Sequence, residues 1–134
     1  MIVDASILVA AANDKDPDAP RCRELLRLSR ATLIVPSTAL AEATFLVQKR
    51  LVVEAEIRLV SSLAIAPWMV EGPSAEDLVR SVELMQRYVD LPLGFSDAAS
   101  VALAERLNET TVASLDNHFR IVRPNHINAF TVVP

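Results

Sequence analysis

Four carboxylates stand at the ends of apolar runs or beside them: Asp4, Glu42, Asp97 and Asp116. An unpaired carboxylate taken out of water costs more than the surrounding helix or strand returns. Such acids are therefore found hydrogen-bonded, ion-paired or bound to a cation. Any fold open to this chain must bury the runs and still deliver the acids to an edge. Few cationic side chains lie near them in the sequence, which makes a divalent cation the economical partner.

The order of the runs supplies such an edge. Ile2-Val3 reads as a first strand leading into Asp4, and Thr32 to Val35 as a second, closed by Pro36. Trp68 to Val70 reads as a third, Thr110 to Ser114 as a fourth that delivers Asp116, and Ala129 to Val133 as an edge strand. Helices are expected over Ser6 to Ala12, from Asp16 to about Arg30, over Ser37 to Lys49 and over Val53 to Ala64. Two more are expected from Ser74 to about Val89 and over Asp97 to Leu107. Asp16 and Pro17 fit an N-cap and first helical position, Ser74 and Asp77 a capping pair, and Ser37 and Ser96 further caps. The helix from Asp97 is apolar around most of its circumference, which requires burial. Strands alternating with helices imply an α/β fold with a parallel sheet covered on both faces. Ligands of such sheets bind beyond the carboxyl ends of the strands, near a topological switch point, where Asp4 and Asp116 would lie.

The 134 residues make one domain, 1–134, large enough for a real core. With 51% hydrophobic residues and two glycines, a disordered or low-complexity chain is excluded. The net charge of −4 provides no global basic field for a nucleic acid. A polyanionic substrate would have to be held by local arginines and by bound metal. The lone Cys22 forms no internal disulfide and no Cys-based zinc site, which fits a reducing cytoplasm. Residues Ile2 to Ala12 are apolar, but Asp4 interrupts them and no basic segment precedes them, so a signal peptide is not expected. No apolar stretch is long enough to span a bilayer, and no membrane partner is expected.

Taken singly, each acid has a structural explanation. Asp4 fits an N-cap, with Ser6 either holding its carboxylate or carrying a metal-bound water. Glu42 has Ala39, Phe45 and Leu46 one turn away, so it starts from an apolar face and either snorkels to an edge, pairs with an arginine, or serves a site. Asp97 occupies a first helical turn, where the helix dipole favours an anion. Asp116 fits an Asx turn with Asn117. The set is what points to chemistry, because hard divalent cations take oxygen ligands and crowded acids repel until a cation arrives. His118 and His126 lack zinc-ligand spacing and read as solvated or capping residues. The Arg23, Arg27 and Arg30 stripe reads as a solvated face, and Trp68 and the phenylalanines read as core. No glycine-rich loop cradles a nucleotide.

Four segments in order carry a resemblance: Met1 to Ser6, Pro36 to Glu42, Asp90 to Ala99, and Ser114 to Phe119. Over nearly its whole length the chain resembles the PIN-domain ribonucleases, and within them the VapC toxins of type II toxin–antitoxin pairs. The resemblance implies a three-layer α/β/α sandwich and hydrolysis of RNA phosphodiester bonds dependent on Mg²⁺ or Mn²⁺. It implies an acidic quartet at Asp4, Glu42, Asp97 and Asp116, with Asp4, Asp97 and Asp116 as metal ligands. Ser6 and Ser114 would be hydroxyl supports and Asp90 an accessory acid. It also implies a homodimer and a cognate antitoxin. One departure is that only Asn117 separates Asp116 from His118, where similar proteins often carry basic residues. The local grip on an RNA backbone is then unexplained.

Two other readings remain. One is a binding module on a nuclease-like scaffold. The other is a phospho-receiver domain, which would need acids paired early in the chain and a late basic residue. The stretch Ser37 to Ala64, with Leu40, Val47, Val53, Ile57 and Val60, offers a candidate surface for an antitoxin helix or a dimer mate.

Overall fold

The computed structural model describes residues 1–65 and 67–134. Its strands are β1 (Ile2–Val3), β2 (Leu33–Pro36), β3 (Trp68–Glu71), β4 (Thr111–Ala113) and β5 (Thr131–Val133). Its helices are α1 (Ala5–Ala12), α2 (Ala19–Leu28), α3 (Ser37–Arg50), α4 (Val53–Leu63), α5 (Ala75–Arg87), α6 (Phe95–Leu107) and α7 (His118–Ile121). The five strands form one all-parallel sheet in the order β3-β2-β1-β4-β5. Ile2 registers with Ile34 on one side and Val112 on the other.

Successive strand residues point to opposite faces, so each strand feeds two cores. Val3, Leu33, Val35 and Ala113 pack with residues of α1 to α4. Ile2, Ile34 and Val112 pack with Leu84 of α5, with α6 and with Phe119 of α7. The result is the three-layer α/β/α sandwich. From β1 the chain winds outward through β2 and β3, then returns to β4 on the other side of β1. The switch point lies between β1 and β4, at the end that Asp4 occupies. This order differs from the 2-1-3-4-5 order of receiver domains, which removes that reading.

Expected α6 burial is met: every residue from Ala98 to Ala104 is buried. Ser74 and Asp77 form a reciprocal capping box at α5, with bonds of 3.1 and 2.9 Å. Three helix starts differ from expectation. Asp16 accepts the Asp18 amide at 2.8 Å in a turn, and α2 begins only at Ala19. Pro36 and Gly94 hold the N-cap positions of α3 and α6, so Ser37 and Ser96 lie inside those helices rather than capping them. Phe119 and Phe130 are core, but Phe45 and Phe95 are exposed. Val47 is fully buried while Val53, Ile57 and Val60 are exposed, so among the residues named for that region the open apolar ones are those of α4. Among the described residues no helix is long and apolar enough to cross a membrane.

The same residue type on one helix then separates by burial. Leu84 is fully buried and Leu78 is exposed, both on α5. Leu84→Ala should cost about 2–5 kcal/mol in denaturant unfolding, and Leu78→Ala less than about 1 kcal/mol.

Candidate active site

Asp4 leaves β1 and caps α1 through its own side chain. The residue is 2% exposed, so its carboxylate is held by protein donors. Oδ2 accepts the Ser6 hydroxyl, the Ser114 hydroxyl at 2.9 Å and the Ser6 amide at 3.3 Å. The Ser6 oxygen in turn accepts the Leu115 amide, and the Ser114 oxygen accepts the Asp116 amide, each at 3.0 Å. Each hydroxyl has one proton, and both are committed to Asp4. The 3.4 Å Ser6–Ser114 oxygen contact is therefore a by-product of shared geometry. The Asp4 amide also donates to the Ala113 carbonyl at 2.9 Å, which seals β1 to β4. Ser6 and Ser114 thus both donate to the same carboxylate oxygen of Asp4.

Asp4, Glu42, Asp97 and Asp116 line one cleft of about 420 Å³ beyond the carboxyl ends of β1 and β4. Each comes from a different part of the fold: the β1 end, the middle of α3, the first turn of α6 and the loop after β4. Glu42 and Asp116 are exposed and Asp97 is half-buried. Asp90 is exposed and does not line this cleft. Asp16, Arg50 and His118 line it without having been singled out as site residues. His118 is no solvated cap: its Nδ1 lies 2.8 Å from Oδ2 of Asp97.

Burial first, and neighbouring acids after it, raise the proton affinities of Asp97 and Asp116. Burial pushes the Asp97 carboxyl up; the His118 hydrogen bond pulls it down, while Asp4 and Glu42 push it further up. Asp116 is also raised, by partial enclosure of its carboxyl and then by Asp4, with His118 acting in the opposite sense. Among the described residues no donor reaches Oδ1 of Asp4 or Oδ1 of Asp97, although Oδ2 of each is bonded. These are hard oxygen donors of the kind Mg²⁺ and Mn²⁺ take. Among the described residues, however, no three Asp, Glu, His or Cys side chains are placed to hold one ion between them. The donor chemistry fits a divalent cation; the placement is that of an open acidic cleft.

The PIN domain model matches residues 1–123. This chain belongs to the PIN domain family. It is 33% identical to Ribonuclease VapC26 of Mycobacterium tuberculosis (strain ATCC 25618 / H37Rv) over 135 residues, covering 100% of both chains. Among solved structures it is similar to Mycobacterium tuberculosis VapC20, a sarcin-ricin loop cleaving toxin. That match has a TM-score of 0.85 at 18% identity and covers 94% of this chain and 97% of that one. It is also similar to a toxin–antitoxin complex from Klebsiella pneumoniae, with a TM-score of 0.68 at 19% identity, over 99% and 95% of the two chains. At these identities the solved structures speak for the PIN fold, and the acidic cleft of this PIN domain stands on its own geometry.

Opposite signs separate the acids from their supports. A carboxyl whose folded pKa is raised binds more protons folded than unfolded, so its charge lowers stability as pH rises from the ordinary Asp value of 3.8 through the folded value. In EDTA near neutral pH, Asp97→Asn and Asp116→Asn should each melt higher than the parent. The gain should vanish below the ordinary Asp value. Ser114→Ala removes a donor from a buried carboxylate and should instead cost about 1–3 kcal/mol near neutral pH. Melting curves against pH check both, and lower melting of the two Asn variants would contradict the crowding.

Proposed function

We propose that this PIN domain is an endoribonuclease dependent on Mg²⁺ or Mn²⁺ and the toxin of a type II toxin–antitoxin pair. The observation that carries the reading is the convergence of four acids on one cleft, with Asp4 clamped by two hydroxyls. The full-length identity to a ribonuclease supports the reaction class. Asp4, Asp97 and Asp116 would hold the metal, with Oδ1 of Asp4 and Asp97 the oxygens free of protein donors. The bound ion would supply positive charge to the scissile phosphate and acidity to its attacking water.

The remaining work falls to the chain. Glu42, exposed on the cleft wall, would bind the metal or orient a water and receive its proton. Ser6 and Ser114 hold the Asp4 carboxylate fixed. In the overall reaction, water oxygen bonds to phosphorus, the P–O bond to the leaving nucleoside breaks, and a proton returns to the leaving oxygen. A pure binding module would gain nothing from gathering four carboxylates in one cleft.

With Mg²⁺ or Mn²⁺ present, the parent chain should cleave single-stranded RNA, and EDTA should abolish cleavage. Asp97→Asn and Glu42→Gln should slow cleavage on the order of 100-fold or more. Because Asp97→Asn is expected to fold at least as well as the parent, its loss of activity would be chemical. Undiminished cleavage by Asp97→Asn would remove it from the site.

The similarity to a toxin–antitoxin complex supports a protein antitoxin as partner, and the family supports a homodimer. The exposed Val53, Ile57 and Val60 of α4 are the apolar face available to an antitoxin helix. Slower deuterium exchange over residues 53–63 on adding the antitoxin is the expected result. Unchanged exchange there would move the interface elsewhere.

A further inference from the structure

The acidic cleft does not end at its own wall. Arg50, in the last turn of α3, lines both the cleft and a second open groove of about 450 Å³. That groove runs between the α1–α2 connection and the start of α4, and carries Asn13, Lys15, Arg50 and Arg58. Lys15, Arg50 and Arg58 are all exposed. Among the described residues none of the three has a carboxylate within ion-pair distance. The groove's own acid, Asp14, is already paired with Arg23 at 2.6 Å. Arg80 and Arg106, by contrast, are spent inside the fold, the first on Glu105 and Glu83 and the second on Asp77 and Glu71; what sets the groove apart is that its three free cations lie together beside the acidic cleft. In a chain of net charge −4, three unneutralised cations along one groove form a local field of the opposite sign.

We propose that the backbone of a single-stranded RNA bound in the acidic cleft continues over Arg50 into this groove, where Lys15, Arg50 and Arg58 contact its phosphates. The inference deepens the nuclease reading and rests on it for the identity of the polyanion. Two features favour RNA over an acidic protein segment. The groove is continuous with the cleft in which the scissile phosphate would lie, and Arg50 is common to both walls. The cleft itself repels polyanions, so a substrate needs cationic contacts beside it to enter. Arg50 is then a positioning residue that offsets the like charge of Glu42, Asp97 and Asp116 on the incoming strand. The arrangement also supplies the backbone grip that the Asp116-Asn117-His118 sequence lacks.

Binding is measured by fluorescence anisotropy of a fluorescein-labelled single-stranded RNA oligonucleotide on the full chain. EDTA keeps the RNA intact, and NaCl is varied between about 50 and 200 mM. Each of Lys15→Gln, Arg50→Gln and Arg58→Gln should weaken binding and reduce the slope of log affinity against log salt by about 0.7. The triple variant should lose about 2 from the slope. Arg27→Gln/Arg30→Gln, at exposed positions on α2 and just beyond its end, serves as the control for removing charge away from the groove and should leave the slope intact. An unchanged slope in the triple variant overturns the proposal, as does an equal loss per removed charge in the control. It is also overturned if the substitutions abolish binding of poly-L-glutamate while RNA binding persists, since the groove would then belong to an acidic protein partner. Cleavage with Mn²⁺ separates this proposal from the one beneath it. Cleavage with an unaltered slope in the triple variant sinks the groove alone. Salt-dependent binding through these three residues without any cleavage sinks the nuclease alone.

Discussion

At the junction of β1 and β4 an ionisable group is buried where two parallel strands end. Asp4 can occupy that point because Ser6 and Ser114 deliver both of their hydroxyl protons to the same oxygen. Hydrogen bonds to a charged group contribute about 1.5–3 kcal/mol, and a buried carboxylate without them carries a desolvation penalty of several kcal/mol. The hydroxyls are themselves oriented from behind by the amides of Leu115 and Asp116. The backbone leaving β4 is thereby tied to the backbone leaving β1 through one carboxylate. Asp116 owes its place at the cleft to that tie, because its own amide is one of the fixed donors. Structure and site share a single network here, and a side chain that settles the sheet edge also presents a free oxygen to the cleft.

The third acid is positioned by a different device. Asp97 rides on the first turn of α6, and α6 is fastened to α5 by ion pairs at the far end from the cleft. Arg80 makes two bonds to Glu105, at 2.9 and 3.0 Å, and Arg106 makes one of 2.9 Å to Asp77. Asp77 also closes the capping box of α5, so one carboxylate serves both helix start and helix pairing. Half-buried ion pairs of this kind contribute little net stability, since desolvation offsets most of the attraction. Their value lies in direction. An α6 that is apolar all round could rotate in a greasy slot, and the charged fork at Glu105 and Arg106 sets which residue of its first turn faces the cleft. Burial and the neighbouring acids raise the Asp97 carboxyl against the opposing pull of His118.

What could be read from the sequence follows from the range of the interactions. Short apolar strands and the buried helix from Asp97 declare themselves because a few adjacent residues decide burial. The acids at Asp4 and Asp116 were legible as strand-end residues, and the Ser74–Asp77 box was legible because it spans one turn. Helix starts were not. In Asp14-Lys15-Asp16-Pro17-Asp18 several residues can cap, and the Asx turn at Asp16 takes the position that an N-cap reading would give it. At Ser37 and Ser96 the preceding Pro36 and Gly94 take the cap, and the buried Ser96 hydroxyl has no hydrogen-bond partner among the described residues. The four-residue α7 is too short for any periodicity to show. His118 reaches Asp97 across 21 positions, and nothing in either segment alone signals that contact.

Net charge is a coarse guide for a related reason. A sum over the chain counts every arginine equally, whereas the fold consumes some and leaves others free. Arg80 and Arg106 are committed to holding α5 against α6, and Arg23 bonds to Asp14 and to the Ala11 carbonyl. Arg50 lies in the last turn of α3, where the helix dipole favours a cation, and from there it faces the acids that open the cleft. A surface that is acidic on average can thus present a cationic lip to its own acidic cleft. Screening over roughly 8–10 Å at physiological salt makes that local arrangement, rather than the total, what an approaching phosphate encounters.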